Sequence, residues 1–490
     1  MPSLKKLFSD SVIYGFSSIV GRFLNYLLVP LYTYKIAAAT GGYGVITNIY
    51  AYTALILVML TFGMETTFFY FANKSGEEPR RVFRTALSAV GSVAAAFVVL
   101  VFLFIHPLSR LMGYESHPEY LTTMAIVVAL DAFQAILFAQ LRYENRAWKF
   151  AILKLTFIVL NIGLNLLVFL LVPKLAGGPL TGWYDGSNVV GYVFTINLIC
   201  TAAVTLGFIP ELRHYRYGFD KGLLLPMLRY TWPLLLLGIM GMLNQVADKI
   251  IFRFLVPGKE GEIQLGIYGA CVKIAMIMAI ITQAFRYAYE PFVFGSGRGS
   301  KSKESQALVM KYFVMFTLLA FLMVVCYNDV IRYIIAPSYW EGLKAVPIVM
   351  LAEIFMGIYF NLSFWYKLTE KTYWGAILSA IGSAILIAVN IIFVPHYGYM
   401  ACAFGGLAGY GSCMILSYII GQRHYPIPYP IASIGGYFIL TIVLYVASAA
   451  IHFDSIIANL LYGTLLLCVY LGVVVYNERA IVRRIIARKR

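Results

Sequence analysis

The sequence predicts an all-α, polytopic membrane protein of about fourteen transmembrane helices. Three observations predict it: 61% of the 490 residues are apolar and only 12% are charged; apolar stretches of membrane-spanning length recur along the whole chain; and Lys and Arg concentrate in alternate connecting loops. A helix needs roughly 20 mostly apolar residues to cross about 30 Å of hydrocarbon, because in lipid each backbone donor and acceptor must be satisfied within the segment. A water-exposed surface would carry about twice that share of charge.

In chain order the expected spans are 7–34, 45–71, 82–105, 121–141, 150–172, 189–209 and 230–255, followed by 265–294, 308–327, 346–365, 373–394, 400–420, 431–451 and 456–475. The first follows Lys5 and Lys6 but is too long for a signal-peptide core and lacks an A-x-A cleavage pattern, so it is expected to remain as a helix. No soluble domain is expected before or after the spans. With the N-terminus inside, the cytoplasmic loops and tails hold the great majority of the 38 Lys and Arg, and six lie within spans: Arg22, Lys154, Lys249, Arg253, Lys273 and Arg286. This excess follows the positive-inside rule, so both termini are expected to be cytoplasmic. The net charge of +16 is therefore an orienting charge rather than a nucleic-acid footprint, and the run from Arg479 to Arg490 reads as a tail facing anionic lipid. All six cysteines fall in expected spans without CxxC spacing, which suggests neither a disulfide framework nor a zinc site.

An internal duplication organises the spans. Displaced by 225 residues, Gly41-Gly42-Tyr43-Gly44 aligns with Gly266-Ile267-Tyr268-Gly269, and the match continues through Ile49 with Ile274, Ala54 with Ala279, Glu65 with Glu290 and Phe69 with Phe294. The same displacement pairs Arg142 and Arg146 with Lys367 and Lys371, and Asn165 with Asn390. A shift of two more pairs Arg22 with Lys249. Six spans per repeat is an even number, so both copies enter the membrane in the same sense. The expected organisation is a bundle over 1–221, a second over 222–425, two additional helices over 426–476 and a basic tail over 477–490. Two such bundles can rock about a central cavity, which makes transport the leading class.

Charges at bilayer depth cost about 2.5 to 3.5 kcal/mol each on insertion scales and usually face a cavity or one another. Arg22 lies near the centre of the first span, too deep to snorkel. Lys249 and Arg253 share a helix face, with Asp248 adjacent, and Arg253 lies near the outer end. Arg286 and Glu290 stand four apart, where an ion pair within the helix competes with a ligand role. Lys273 is a candidate cavity cation, whereas Lys154, two turns into its span, reads as structural. Asp131 and Glu353 sit mid-span at corresponding places in the two repeats, where a carboxylate can bind a proton or sodium ion. The 37 Tyr and 34 Phe suit sugar stacking but equally suit aromatic belts. The loop Gly295-Ser-Gly-Arg-Gly-Ser-Lys301-Ser302 has Ser300 where a phosphate loop requires glycine, so it reads as a cytosolic linker. With no nucleotide motif, no metal-ligand cluster and no cofactor expected, energy would come from an H+ or Na+ gradient or from the substrate.

The segment Gly15 to Pro30 with Arg22, the Gly-Tyr-Gly start of the second span, Met64-Glu-Thr-Thr-Phe-Phe, Asn244-Gln-Val-Ala-Asp-Lys249 and Phe285-Arg-Tyr-Ala-Tyr-Glu-Pro291 resemble bacterial polysaccharide-biosynthesis flippases. Those proteins belong to the multidrug, oligosaccharidyl-lipid and polysaccharide exporter superfamily, which includes the lipid II flippase and has a V-shaped twelve-helix core. The resemblance implies a non-enzymatic flippase turning an undecaprenyl-diphosphate-linked oligosaccharide from the inner to the outer leaflet. It implies a cationic cavity of Arg22, Lys249, Arg253, Lys273 and Arg286 holding diphosphate and sugar. Asp131, Glu353, Glu65, Glu290 and Asp248 are the expected coupling or gating acids. Expected partners are the lipid-linked glycan, membrane lipids and glycan polymerases, with the protein itself a monomer. The rivals are a cation-coupled drug exporter, which should carry acids deep in its first helix, a membrane glycosyltransferase or ligase, which should carry acids or histidines in a long outer loop, and a non-transporting scaffold.

Overall fold

The computed structural model describes residues 26–74, 77–175, 182, 184–213, 217–295 and 300–479, and among these there is no strand. Arg22 and the tail beyond 479 lie outside the described residues, and of the first span only the end is described, as helix α1 (Leu28–Lys35). Twelve further helical segments are long and apolar enough to cross a membrane, thirteen when one bent pair is taken together. The chain is therefore an all-α, multi-pass membrane protein, as its composition requires.

Two compact units partition the described chain: one runs up to Ala270 and also includes Ser379–Gly405, and the other holds Cys271–Leu378 and everything from Gly406 onward. In the first unit α2 (Gly42–Thr61) and α3 (Met64–Ala72) occupy the expected second span. The break between them comes from Phe62 and Gly63, both in the left-handed region at φ 35° and 73°, where Phe62 carries the strain that a side chain incurs there. Helix α4 (Pro79–Leu103) packs on α5 (Pro118–Tyr143), and α5 on α7 (Val189–Leu206), with α6 (Ala147–Leu166) beside them. Small residues, Ala86, Ala89, Ala132 and Ala139, alternate in this core with Leu87, Val90, Ile136 and Leu137. Lipid supplies no hydrophobic drive between helices, so close packing at small residues and buried hydrogen bonds hold them. Gln134 supplies two such bonds, donating to the Thr201 carbonyl at 2.9 Å and to Thr205 Oγ1 at 2.7 Å. Arg81 pairs with Asp220, which also caps α8 (Lys221–Leu255) by accepting from the amides of Gly222 and Leu223. Helix α8 starts nine residues before the expected 230 and accommodates Pro226 and Pro233.

The expected eighth span is two helices, α9 (Gly258–Ala275) and α10 (Ile277–Gly295), bent by 41° at their junction. In the second unit, α11 (Ser300–Cys326) is the hub: α10, α12 (Val346–Leu362), α15 (Ile431–Ala450) and α16 (Ile456–Asn477) all pack on it. The C-terminal pair is fastened there, since Tyr470 donates to the Met315 carbonyl at 2.9 Å, while Glu478 pairs with Lys311 and accepts from Tyr437 at 3.2 Å. Helices α13 (Tyr373–Tyr397) and α14 (Tyr399–His424) complete the chain.

Two turns deserve comparison because they stand 225 residues apart. Helix α5 ends at Asn145, left-handed at φ 56°, and the amide of Arg146 bonds the Leu141 carbonyl at 2.8 Å. The segment after α12 ends at Glu370, left-handed at φ 62°, and the amide of Lys371 bonds the Tyr366 carbonyl at 2.9 Å. Both are Schellman closures built without the usual glycine.

Candidate functional site

The ionisable residues singled out from sequence fall into separate clusters. The first lies at the C-terminal end of α8, within the first unit. Lys249 Nζ donates to both carboxylate oxygens of Asp248, at 2.9 and 3.0 Å, and to the Gln245 carbonyl at 3.1 Å. Asp248 also accepts from Tyr268 at 2.9 Å. This carboxylate is buried and its lysine nearly so, so the pair is electrically balanced in place. One turn on, Arg253 donates to Glu262 Oε1 and to the Gly113 carbonyl, each at 2.7 Å, with its guanidinium 3.8 Å from the Tyr114 ring centroid. Both cations are thus already engaged, and an anionic ligand would have to compete with Asp248 and Glu262 for them.

The second cluster lies in the second unit. Glu290 accepts from Lys367 at 3.0 Å and from Arg286 at 3.3 Å, and the Arg286 guanidinium also lies 5.2 Å from the Phe360 ring centroid. Two cations share one acid, leaving a local charge of +1. The small cavity beside them is lined also by Thr282 and Asn361. Thr282 Oγ1 and Asn361 Oδ1 are buried and have no hydrogen-bond partner among the described residues, an arrangement that costs free energy unless a ligand or water supplies the bond. Of the clusters, this one has the charge and the unfilled polar groups that suit an anion.

Glu65 pairs with Arg142 in the first unit. This pair and Glu290–Lys367 occupy corresponding positions 225 residues apart, and the sequence alone had aligned the four residues without connecting acid to base. Asp131, half-buried on α5, makes no ion pair within 4 Å among the described residues, and Lys154 is the charged neighbour that acts on it. Lys154 Nζ rests 4.0 Å from the Phe138 ring centroid. Lys273 on α9 and Glu353 on α12 are half-buried, and Arg22 lies outside the described residues. Residues that sequence reasoning passed over are Glu262, Tyr114 and Asn48. Asn48 was detectable as an amide inside an apolar span, whereas Glu262 and Tyr114 fall between the expected spans, where polar residues carry no signal.

No protein-family model matches the chain. A Lsg locus protein of Haemophilus influenzae is 23% identical over 412 residues, covering 80% of this chain and 94% of that protein. Among solved structures, the lipid II flippase MurJ in an inward closed conformation superposes with a TM-score of 0.70 at 14% identity, covering 96% of this chain and 99% of MurJ. The MATE multidrug transporter DinF-BH gives 0.59 at 17% identity over 86% of this chain and 96% of its own. An outward-facing MATE family transporter of the MOP superfamily gives 0.56 at 16% over 84% and 95%. The chain has the fold that these proteins share; their names describe a flippase and transporters rather than enzymes.

Proposed function

We propose that this chain is a flippase of the MOP superfamily that turns an undecaprenyl-diphosphate-linked oligosaccharide from the inner to the outer leaflet by alternating access. The observation that carries this reading is the likeness of fold to a lipid II flippase over 96% of the chain. In the proposal the repeats 1–221 and 222–425 are the moving bundles, set in an inner membrane with both termini cytoplasmic. The matched Schellman turns and the matched acid–base pairs support that duplication.

Arg22, Lys249, Lys273 and Arg286 hold the diphosphate, and Arg253 joins them when Glu262 releases it. An anion leaving water needs charge-assisted donors, and arginine keeps its charge in a low-dielectric setting. Glu65 and Glu290 gate the inner side by exchanging cationic partners. Asp131, Glu353 and Asp248 are the acids through which an H+ or Na+ gradient would act. No cofactor is required. The protein works as a monomer alongside glycan polymerases.

The MATE likeness favours a second reading, efflux of organic cations, but Arg22 in the first span would repel them. The deciding experiment is leaflet-resolved translocation of fluorescent undecaprenyl-diphosphate glycans in proteoliposomes, run beside efflux of a lipophilic cation from the same preparation. Glycan flipping without cation efflux is the expected result. The reverse would replace the flippase by a drug exporter.

A further inference from the structure

We propose that the cavity where α11, α12, α15 and α16 meet binds a bilayer phospholipid whose headgroup carries both a phosphate and a primary ammonium, as in phosphatidylethanolamine. The proposal goes beyond the transport reading and does not depend on it.

The cavity holds about 400 Å3, and all of its residues belong to the second unit. That volume lies within the range of small-molecule sites, roughly 300 to 1,000 Å3. Helices α11 and α15 end at it, and α12 and α16 begin there. Helix ends of membrane-spanning length meet at the headgroup level, so the cavity lies at a membrane–water interface rather than in hydrocarbon. Aromatic residues favour this depth, and Tyr445 and Tyr462 stand in the cavity wall. In the segment after α11, Trp340 donates to the Arg332 carbonyl at 2.9 Å, and the Arg332 guanidinium lies 4.6 Å from the Trp340 ring centroid. Further from the helix ends, Ile442 and Val446 of α15 and Leu461 and Leu465 of α16 are exposed. Acyl chains attached to a bound headgroup can lie on that apolar surface and remain in hydrocarbon.

The wall carries charge of both signs. Asp329 accepts from Asn459 Nδ2 at 2.8 Å, and Asn459 Oδ1 in turn accepts from the Phe453 amide at 2.8 Å. The turn joining α15 to α16 therefore orients this carboxylate. Asp329 pairs with Arg332 at 3.5 Å, and Lys344 pairs with Glu341, also at 3.5 Å. Both contacts are long for charge-assisted bonds. A lysine has three donors and a carboxylate about four acceptor sites, so each keeps capacity for a ligand. His452 Nδ1 lies 3.0 Å from the Ile451 carbonyl. A carbonyl only accepts, so the proton of the neutral ring sits on Nδ1 and Nε2 remains an acceptor. Asp329, His452 and the face of Tyr445 suit an ammonium, and Lys344 suits a phosphate. A sugar ring would use neither charge, and an anionic headgroup without an amine would set its phosphate against Asp329 with no compensating cation of its own.

The test is native mass spectrometry of the full chain in lipid-free detergent, with phosphatidylethanolamine and phosphatidylglycerol of identical acyl chains added in equal amounts. The parent should retain phosphatidylethanolamine at least about fivefold over phosphatidylglycerol, the preference that one charge-assisted contact to the amine supplies. Asp329→Asn should bring that ratio to about one by weakening the ammonium contact. Lys344→Gln should instead lower retention of both lipids, since both carry the phosphate. Ala449 is exposed and lines the cavity; Ala449→Trp should fill it and lower phosphatidylethanolamine retention about tenfold, with the unfolding temperature in detergent as the control for folding. Equal retention of the two lipids by the parent would overturn the site, as would a preference that survives both Asp329→Asn and Ala449→Trp. Soluble glycerophosphoethanolamine binding as tightly as the lipid would overturn it too, because the ligand would then be a free phosphate ester rather than a membrane component. These readouts need no transport, so they stand or fall separately from the flippase reading.

Discussion

Replacing Lys249 separates a substrate-binding cation from a structural one. Lys249 Nζ lies within 3.0 Å of both oxygens of Asp248, whose side chain is 7% exposed against 19% for the lysine. Lys249→Met leaves that carboxylate with the Tyr268 hydroxyl as its donor among the described residues, and removing one partner of a buried ion pair typically costs about 3 to 5 kcal/mol. Adding Asp248→Asn removes the stranded charge and keeps an acceptor for Tyr268, so the double variant should recover most of that loss in a thermal-unfolding assay in detergent. Transport should behave differently. If Lys249 holds the diphosphate, the double variant still lacks a charge-assisted bond worth about 1.5 to 3 kcal/mol, so flipping at limiting substrate should stay down by roughly 10- to 150-fold. Asp248→Asn alone should weaken binding less, since it frees the lysine. Full recovery of flipping together with stability in the double variant would refute a substrate role for Lys249 and leave it as the counter-ion of Asp248.

Other outcomes follow from the same geometry. Asn390 is buried with neither side-chain polar atom bonded among the described residues, so Asn390→Leu should be neutral or stabilising. Asn165→Leu, by contrast, breaks the 2.8 Å bond from Tyr32 and should cost about 1 to 3 kcal/mol in the same unfolding assay; equal losses at both positions would contradict this. Glu290→Gln should destabilise more than Glu65→Gln, because Glu290 is 28% exposed and serves two cations whereas Glu65 is 41% exposed and serves Arg142. At the start of α8, the Arg81 hydrogen bond holds the Asp220 carboxyl below its ordinary value. A depressed folded-state pKa gives stability that is present above the unfolded value of about 3.9 and is lost as pH falls through the folded one. The stability difference between the parent and Asp220→Asn should therefore be constant from neutral pH down to about 5 and shrink below about 4; a difference that persists at pH 3 would exclude the charge as its source.

Composition and span length determine the class of this protein because lipid tolerates few backbone arrangements: a chain with 61% apolar residues in recurrent stretches must be a helical bundle. Span order and the pairing of Glu65 with Glu290 and Arg142 with Lys367 were likewise legible, since a duplication leaves its mark at fixed spacing. Tertiary structure alone decided which charges touch. That Glu65 meets Arg142 depends on α3 and α5 lying side by side, and spacing along the chain carries no such information. Linear reading also missed the break at Phe62–Gly63 and the bend between α9 and α10, because an interrupted helix keeps the apolar run of a continuous one. Arg253 shows the limit most plainly. Sequence identified a cation near a membrane interface, but its engagement by Glu262, Gly113 and Tyr114 arises only where three distant segments converge.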